Sequence, residues 1–198
     1  MSLLITWPDD DSSVPLRQTI DPAEISAAMS EIGCRFERRE IHPDVPEDAG
    51  ADAILAAYKD VVDRLVSEES FVTVDVAAIH PSSDPGWSQT AQAMRAKFID
   101  EHTHGDDDEV RFMVRGSGVF FLHIGDRVHA IYAEAGDLLG VPKGTTHWFD
   151  TGAVPDFAAI RFFHAAEGWV GIPTGSDIAR DFPDGDEIKE RALELGSA

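Results

Sequence analysis

His102-Thr103-His104-Gly105-Asp106-Asp107-Asp108-Glu109-Val110-Arg111-Phe112 is the stretch on which the reading of this chain turns. It is answered downstream by Gly136-Asp137-Leu138-Leu139-Gly140-Val141-Pro142-Lys143-Gly144-Thr145-Thr146-His147-Trp148-Phe149. His102 and His104 are two residues apart, so on a strand their side chains leave from the same face. Glu109 and Arg111 share that offset, and a strand through them sets a cation beside a carboxylate. His147 adds a third imidazole. Three neutral nitrogens and one anionic oxygen suit a divalent transition metal such as iron, nickel, manganese or zinc. Taken singly, each histidine is more simply a surface or core residue, and the aspartate run a solvated turn. It is the conjunction of the two stretches that reads as a metal site with an anion anchor built in at Arg111.

Working outward, the segment from Phe98 onward breaks into short strands. They are expected at 109–114, 119–124, 128–133, 138–141, 146–150 and 157–163, with turns at Gly116-Ser117-Gly118, Gly125-Asp126 and Gly136-Asp137. Evenly spaced short strands with glycine turns make a sandwich or barrel. Their order fits a mainly β fold, the cupin double-stranded β-helix or jelly roll. In such a barrel His102, His104, Glu109, Arg111 and Met113 point inward, as do His147 and Phe149. Gly144 permits the turn that presents His147.

Upstream, Asp21-Pro22 opens a helix with a capping carboxylate and a proline at its first position, and Gly33 closes it. A second, stronger helix is expected over 51–66, with Ile54, Tyr58, Val61, Val62 and Leu65 on one face. A strand at 71–79, a short helix at 90–96 and a terminal helix at 186–195 complete the reading. The division expected is an N-terminal helical region, 1–70, packed outside the barrel, the barrel at 71–182, and a tail at 183–198.

Among 198 residues, Asp plus Glu outnumber Lys plus Arg by 37 to 16, for a net charge of −21. Such a surface repels phosphate backbones and anionic membranes, which excludes nucleic-acid and membrane-surface partners. Hydrophobic residues at 43% suffice for a packed core in one domain. Cys34 is the single cysteine, so no intramolecular disulfide can form; it reads as a partly buried, small apolar residue in a reducing compartment. No signal-peptide pattern and no run of membrane-spanning length is visible. The expectation is a cytoplasmic monomer.

The two motifs resemble the cupin signatures, and more specifically those of the acireductone dioxygenases. The words that carry the resemblance are Lys97-Phe98, Glu101-His102-Thr103-His104, Glu109-Val110-Arg111-Phe112, Gly136-Asp137-Leu138, His147-Trp148-Phe149-Asp150, Ala159-Ile160-Arg161-Phe162-Phe163 and Gly168-Trp169. The likeness runs from about Phe71 to Phe182, and the first fifty residues match only loosely. It implies His102, His104, Glu109 and His147 as metal ligands. One departure bears on the carboxylate. Bacterial members have three residues between the second histidine and the glutamate, and here there are four. Asp108 keeps the shorter spacing, while Glu109 keeps register with Val110-Arg111-Phe112 and with Gly116. Glu109 is preferred because a strand fixes it and a loop can absorb an insertion.

The resemblance further implies one Fe(2+) or Ni(2+) per chain and, as substrate with O2, the acireductone 1,2-dihydroxy-3-keto-5-methylthiopentene of methionine salvage. Iron directs the products to formate and 4-methylthio-2-oxobutanoate. Nickel directs them to formate, carbon monoxide and 3-methylthiopropionate. In this reading Arg111 is catalytic, stabilising negative charge on bound substrate. Phe98, Phe149, Arg161 and Trp169 line the substrate pocket, and Glu101 and Asp108 accept hydrogen bonds from the outer ring nitrogens of the ligating histidines. His123, His129 and His164 lie outside the motifs and are read as non-ligands. Two alternatives are a non-enzymatic cupin and another metal-dependent cupin such as an isomerase. The complete ligand set opposes the first. Arg111 beside the acidic ligand, with the His147-Trp148-Phe149-Asp150 run, opposes the second.

Overall fold

The computed structural model describes residues 1–42, 45–46, 48–104, 107–166 and 170–197. Strands β1 (Leu3–Pro8), β2 (Arg17–Thr19) and β3 (Arg35–Arg38) flank helix α1 (Pro22–Glu31); helices α2 (Ala51–Ala57) and α3 (Lys59–Glu69) follow, then β4 (Thr73–Ile79) and α4 (Trp87–Phe98). The barrel strands are β5 (His102–Thr103), β6 (Glu109–Ile124), β7 (Arg127–Glu134), β8 (Asp137–Val141), β9 (Thr146–Asp150), β10 (Phe157–Phe163) and β11 (Ile172–Pro173), and helix α5 (Gly185–Gly196) ends the chain. The architecture is a mainly antiparallel cupin barrel with helices packed outside it.

β6 organises the barrel. Its first half pairs with β8 and β10, and its second half with β7 and β9. Two strands with a turn between them were expected here; the structure has one strand of 16 residues that passes from one sheet to the other. The glycines supply a bend rather than a reversal. Gly116 takes φ +62°, and a Cβ there would collide with the Asp156 carbonyl oxygen of the facing chain. The register against β10 shifts at Ala158/Ala159, as a bulge beside such a bend requires.

Alternation along β6 sorts the side chains. Met113, Phe120 and Leu122 face the interior with Met29, Phe36, Ile131, Leu139 and Phe149. Phe112, one residue out of phase with Met113, faces α2 and α3 with Ile54, Tyr58, Leu65 and Ile160. On the other sheet's outer face, Trp7, Phe121 and Trp148 are covered by Ile188 and Ala192 of α5. Asp184 caps α5 through a reciprocal capping box with Glu187.

The N-terminal segment differs from its purely helical reading, because β1 pairs with β7 and β3 pairs with β8. The helix α1 forms as read, with the Asp21 carboxylate accepting from the Ala23 and Glu24 amides and Gly33 at φ +75° beyond its end. The single helix expected over 51–66 is two, because the backbone at Tyr58 leaves the helical region at φ −99°, ψ 16°. Its ring packs edge-on against Phe112 at 5.4 Å and its hydroxyl oxygen accepts from the His42 amide at 2.8 Å. Cys34 is buried, and burial raises its thiol pKa to about 11, so it stays an unreactive thiol.

His129 on β7 lies across from Thr6 on β1, its Nδ1 3.0 Å from the Thr6 hydroxyl. Burial first, then Arg127 and Arg17, lower its pKa from 6.5 to about 4. The unfolded chain therefore takes up this proton as pH falls through 6.5, while the folded chain resists until about 4. The stabilising contribution is whole above that window and is lost progressively on descending through it. Wild type should lose Tm between pH 6.5 and 4 more steeply than His129→Gln, as read by circular-dichroism melts. Parallel pH slopes would show that His129 is not held neutral by the fold.

Candidate metal centre

The short strand β5 delivers the first two histidines, and β9 the third. His102 and His147 are direct cross-strand partners, so their rings enter the barrel side by side with centroids 4.6 Å apart. His104 follows β5 and places its ring 4.6 Å from that of His147 and 5.3 Å from that of His102. All three are buried, and one ring nitrogen from each lies within 4.8 Å of the others. Among the described residues this trio is the cluster of histidines, cysteines and acids able to hold a metal ion.

Backbone carbonyls orient the rings. His102 Nδ1 lies 2.9 Å from the Asp100 carbonyl oxygen and His147 Nδ1 lies 2.8 Å from that of Thr145. A carbonyl can only accept, so each Nδ1 carries a proton, which leaves Nε2 as the nitrogen that can serve a metal. Burial lowers the pKa of His102, and that of His104 to about 3, which keeps both imidazoles neutral. Neutral rings are the form that binds metals.

Glu109 opens β6 with its carboxylate turned to the histidines, Oε2 standing 2.9 Å from His147 Nε2 and 3.4 Å from His104 Nδ1. Asp108, one residue earlier, is directed elsewhere; its carboxylate accepts from the Lys143 amide at 2.8 Å. Of the two competing carboxylates, the structure brings Glu109 to the trio. Burial alone would raise the pKa of Glu109, but the charge of the Arg111 guanidinium outweighs it and holds the group well below the usual carboxylate range. The donor set fits a divalent transition metal: three imidazoles and one carboxylate converge in a buried site.

Arg111 is buried and contacts the Glu109 carboxylate directly. Its guanidinium lies over the rings of Phe149, Phe120 and Phe98 at 5.1, 5.4 and 6.0 Å. Arg161 is its neighbour across β10 and pairs two-pronged with Asp75 at 2.7 and 2.6 Å.

A cavity of roughly 270 Å³ leads from the surface to His102, between the end of α4 and the segment around β11. Lys97, Phe98, Arg161, Val170 and Gly171 help to line it. Phe98 and Arg161 thus stand where a pocket wall was expected. Phe149 does not line it, because its place on β9 turns it into the core against Phe120 and Phe157. Trp169 lies outside the described residues.

Glu101 is a correction. It was expected to serve a ligating histidine, but its carboxylate lies 2.6 Å from His123 Nδ1 and accepts from the Thr174 hydroxyl at 2.7 Å. Asp108 does not serve one either, given its bond to Lys143. The carbonyls of Asp100 and Thr145 do that work for His102 and His147, and no side-chain pattern announces a backbone acceptor.

The family model described as ARD/ARD' matches residues 6–171. This extends the likeness into the N-terminal region, which in sequence matched only loosely. The acireductone dioxygenase of Frankia alni is 54% identical over 192 residues, covering 97% of this chain and 93% of that protein. The acireductone dioxygenase of Saccharopolyspora erythraea is 50% identical over 188 residues, covering 95% and 98%. The solved structure of the Bacillus anthracis acireductone dioxygenase, with a cadmium ion in its active centre, superposes with a TM-score of 0.72 at 27% identity, covering 87% of this chain and 98% of that one.

Two outcomes test the centre. Glu109→Ala should purify with little metal and Asp108→Ala with most of it, by elemental analysis; the reverse would overturn the register argument. Metal bound only by the folded chain adds about 2.7 kcal/mol at a hundredfold excess over Kd. Chelation should therefore lower the Tm of wild type by several degrees and that of His102→Ala by less. Equal shifts would place the stabilising ion elsewhere.

Proposed function

The chain belongs to the ARD/ARD' family, and we propose that its reaction runs on a single ferrous or nickel ion held by His102, His104, Glu109 and His147. The chain is an oxidoreductase, a dioxygenase of methionine salvage that cleaves the acireductone 1,2-dihydroxy-3-keto-5-methylthiopentene with O2. With iron the products are formate and 4-methylthio-2-oxobutanoate; with nickel they are formate, carbon monoxide and 3-methylthiopropionate. The observation that carries the reading is the convergence of three buried imidazoles and Glu109, backed by Arg111, at the inner end of a cavity. When bound, the ion supplies Lewis-acid activation of the enediol and a binding position for its oxygens.

The chain's own residues supply the rest. Arg111 has no lone pair to give a metal. Its charge holds Glu109 ionised and offsets the negative charge that gathers on the substrate as it loses protons. The aromatic rings around the guanidinium exclude water, so that charge acts through a low-dielectric surround. Phe98 offers the apolar wall against which the methylthio end rests. Arg161, neutralised by Asp75, gives the same wall a polar edge.

The chain acts, on this reading, as a cytoplasmic monomer without a nucleic-acid partner. The charge of −21 supports solubility and opposes nucleic acid. Among the described residues no helix is long and apolar enough to cross a membrane.

Protein stripped of metal and reloaded with iron or nickel should consume the acireductone under air, followed by its absorbance, with carbon monoxide in the headspace of the nickel form alone. No consumption by either form would overturn the reading. Arg111→Ala should remain metallated, yet lose roughly a hundredfold in kcat/KM if the charge contributes about 3 kcal/mol. Arg111→Lys should recover only part, lacking the planar fork. Metal-matched variants mixed anaerobically with substrate and then pulsed with oxygen provide the comparison. Wild-type rates in Arg111→Ala would reduce the residue to a structural ion pair.

A further inference from the structure

The substrate is an enediol conjugated to a ketone, a vinylogous acid that is anionic near neutral pH. A chain of net charge −21 repels such a molecule at long range. The cations around the metal centre do little to counter this at the surface. Arg111 is buried against Glu109, Arg161 is paired with Asp75, and Arg95 is paired with Asp150 at 2.7 and 2.9 Å. Lys97 is different. It lies exposed in the last turn of α4, lines the cavity, and has no carboxylate partner among the described residues. Its Nζ lies 5.1 Å from the centre of the Phe98 ring, which stands on the cavity wall. Among the described residues that line this mouth, the other charged groups are Arg161 and Asp100, an exposed acid. With Arg161 and Asp75 cancelling, Lys97 is the charge that balances Asp100 among the described residues of the entrance.

We propose that Lys97 captures the anionic substrate at the mouth of this cavity and passes it to the metal centre, setting kcat/KM while leaving the chemical step alone. The inference rests on the reading of the substrate as an acireductone. A cation over an aromatic ring suits the task, because Phe98 limits the side chain's wandering and gives the substrate's apolar end a surface beside the charge. The role is positioning, so its signature is a split between kcat/KM and kcat together with a dependence on salt.

The test uses metal-matched wild type, Lys97→Gln, Lys97→Glu and a remote control, Lys189→Glu on α5, which alters net charge equally. At 0.01 M salt, where screening reaches only beyond about 30 Å, Lys97→Glu should lose about five- to tenfold in kcat/KM and Lys97→Gln less. kcat should stay within about twofold. At 1 M salt, with a screening length of about 3 Å, the variants should converge on wild type. Lys189→Glu should follow wild type throughout. A loss in Lys97→Glu that ignores salt, or falls on kcat, or is matched by Lys189→Glu, would overturn the proposal, as would wild-type kinetics in Lys97→Glu. Absence of turnover in wild type would overturn the substrate reading along with it. Turnover in wild type with no effect at Lys97 would remove this inference only.

Discussion

A carboxylate and a guanidinium, both buried, sit two residues apart on one strand and face the same side. Removing each from water costs several kcal/mol, and a buried pair of this kind is often no more stable than apolar residues of equal volume. The surroundings show how it is sustained. Phe98, Phe120 and Phe149 turn their rings to Arg111, while His104 and His147 stand against the other oxygen of Glu109. Among the described residues, the pair is therefore shared between two of the imidazoles and three aromatic rings. Its stability is tied to what occupies the space between the imidazoles, and the fold pays for this with the hydrophobic layers on either side of the barrel.

That arrangement depends on β6 belonging to both sheets. Its first half carries Glu109 and Arg111 between β8 and β10. Its second half carries Phe120 and Leu122, and Leu122 lies between His147 on β9 and His129 on β7. The histidines reach the same interior because β9 pairs with both β5 and the second half of β6. The site is thus built across a bend in one continuous strand.

The metal motif was legible because the two-residue period of a strand is written directly into His102/His104 and Glu109/Arg111. The same period explains the misreading of Glu101. Being adjacent to His102, it departs from the opposite face and finds His123 instead. Gly116 and Gly118 looked like a turn because a glycine signals only that the backbone is free, and whether that freedom makes a bend or a reversal depends on what packs opposite. β1 was missed because Leu3-Leu4-Ile5-Thr6-Trp7 lacks alternation: Leu4 enters the barrel core while Leu3, Ile5 and Trp7 pack under α5, so both faces are apolar. Phe149 shares its face of β9 with His147, yet its ring packs on Phe120 and Phe157 and does not line the cavity. The cavity wall at Val170 and Gly171 carries no motif at all, and its position follows from β11 pairing with β5.

The continuity of β6 also sorts the chain by where it tolerates a change of length. A residue added before Glu109 falls outside the strand and leaves the parity of β6 unchanged. A residue added between Glu109 and Gly116 exchanges inside for outside along that half of the strand: Arg111 would be carried to the face of α2 and α3, and Phe112 into the polar centre. The two segments lie side by side in sequence, yet one is open to drift by insertion and the other is closed to it. The four residues between His104 and Glu109 belong to the first of these segments.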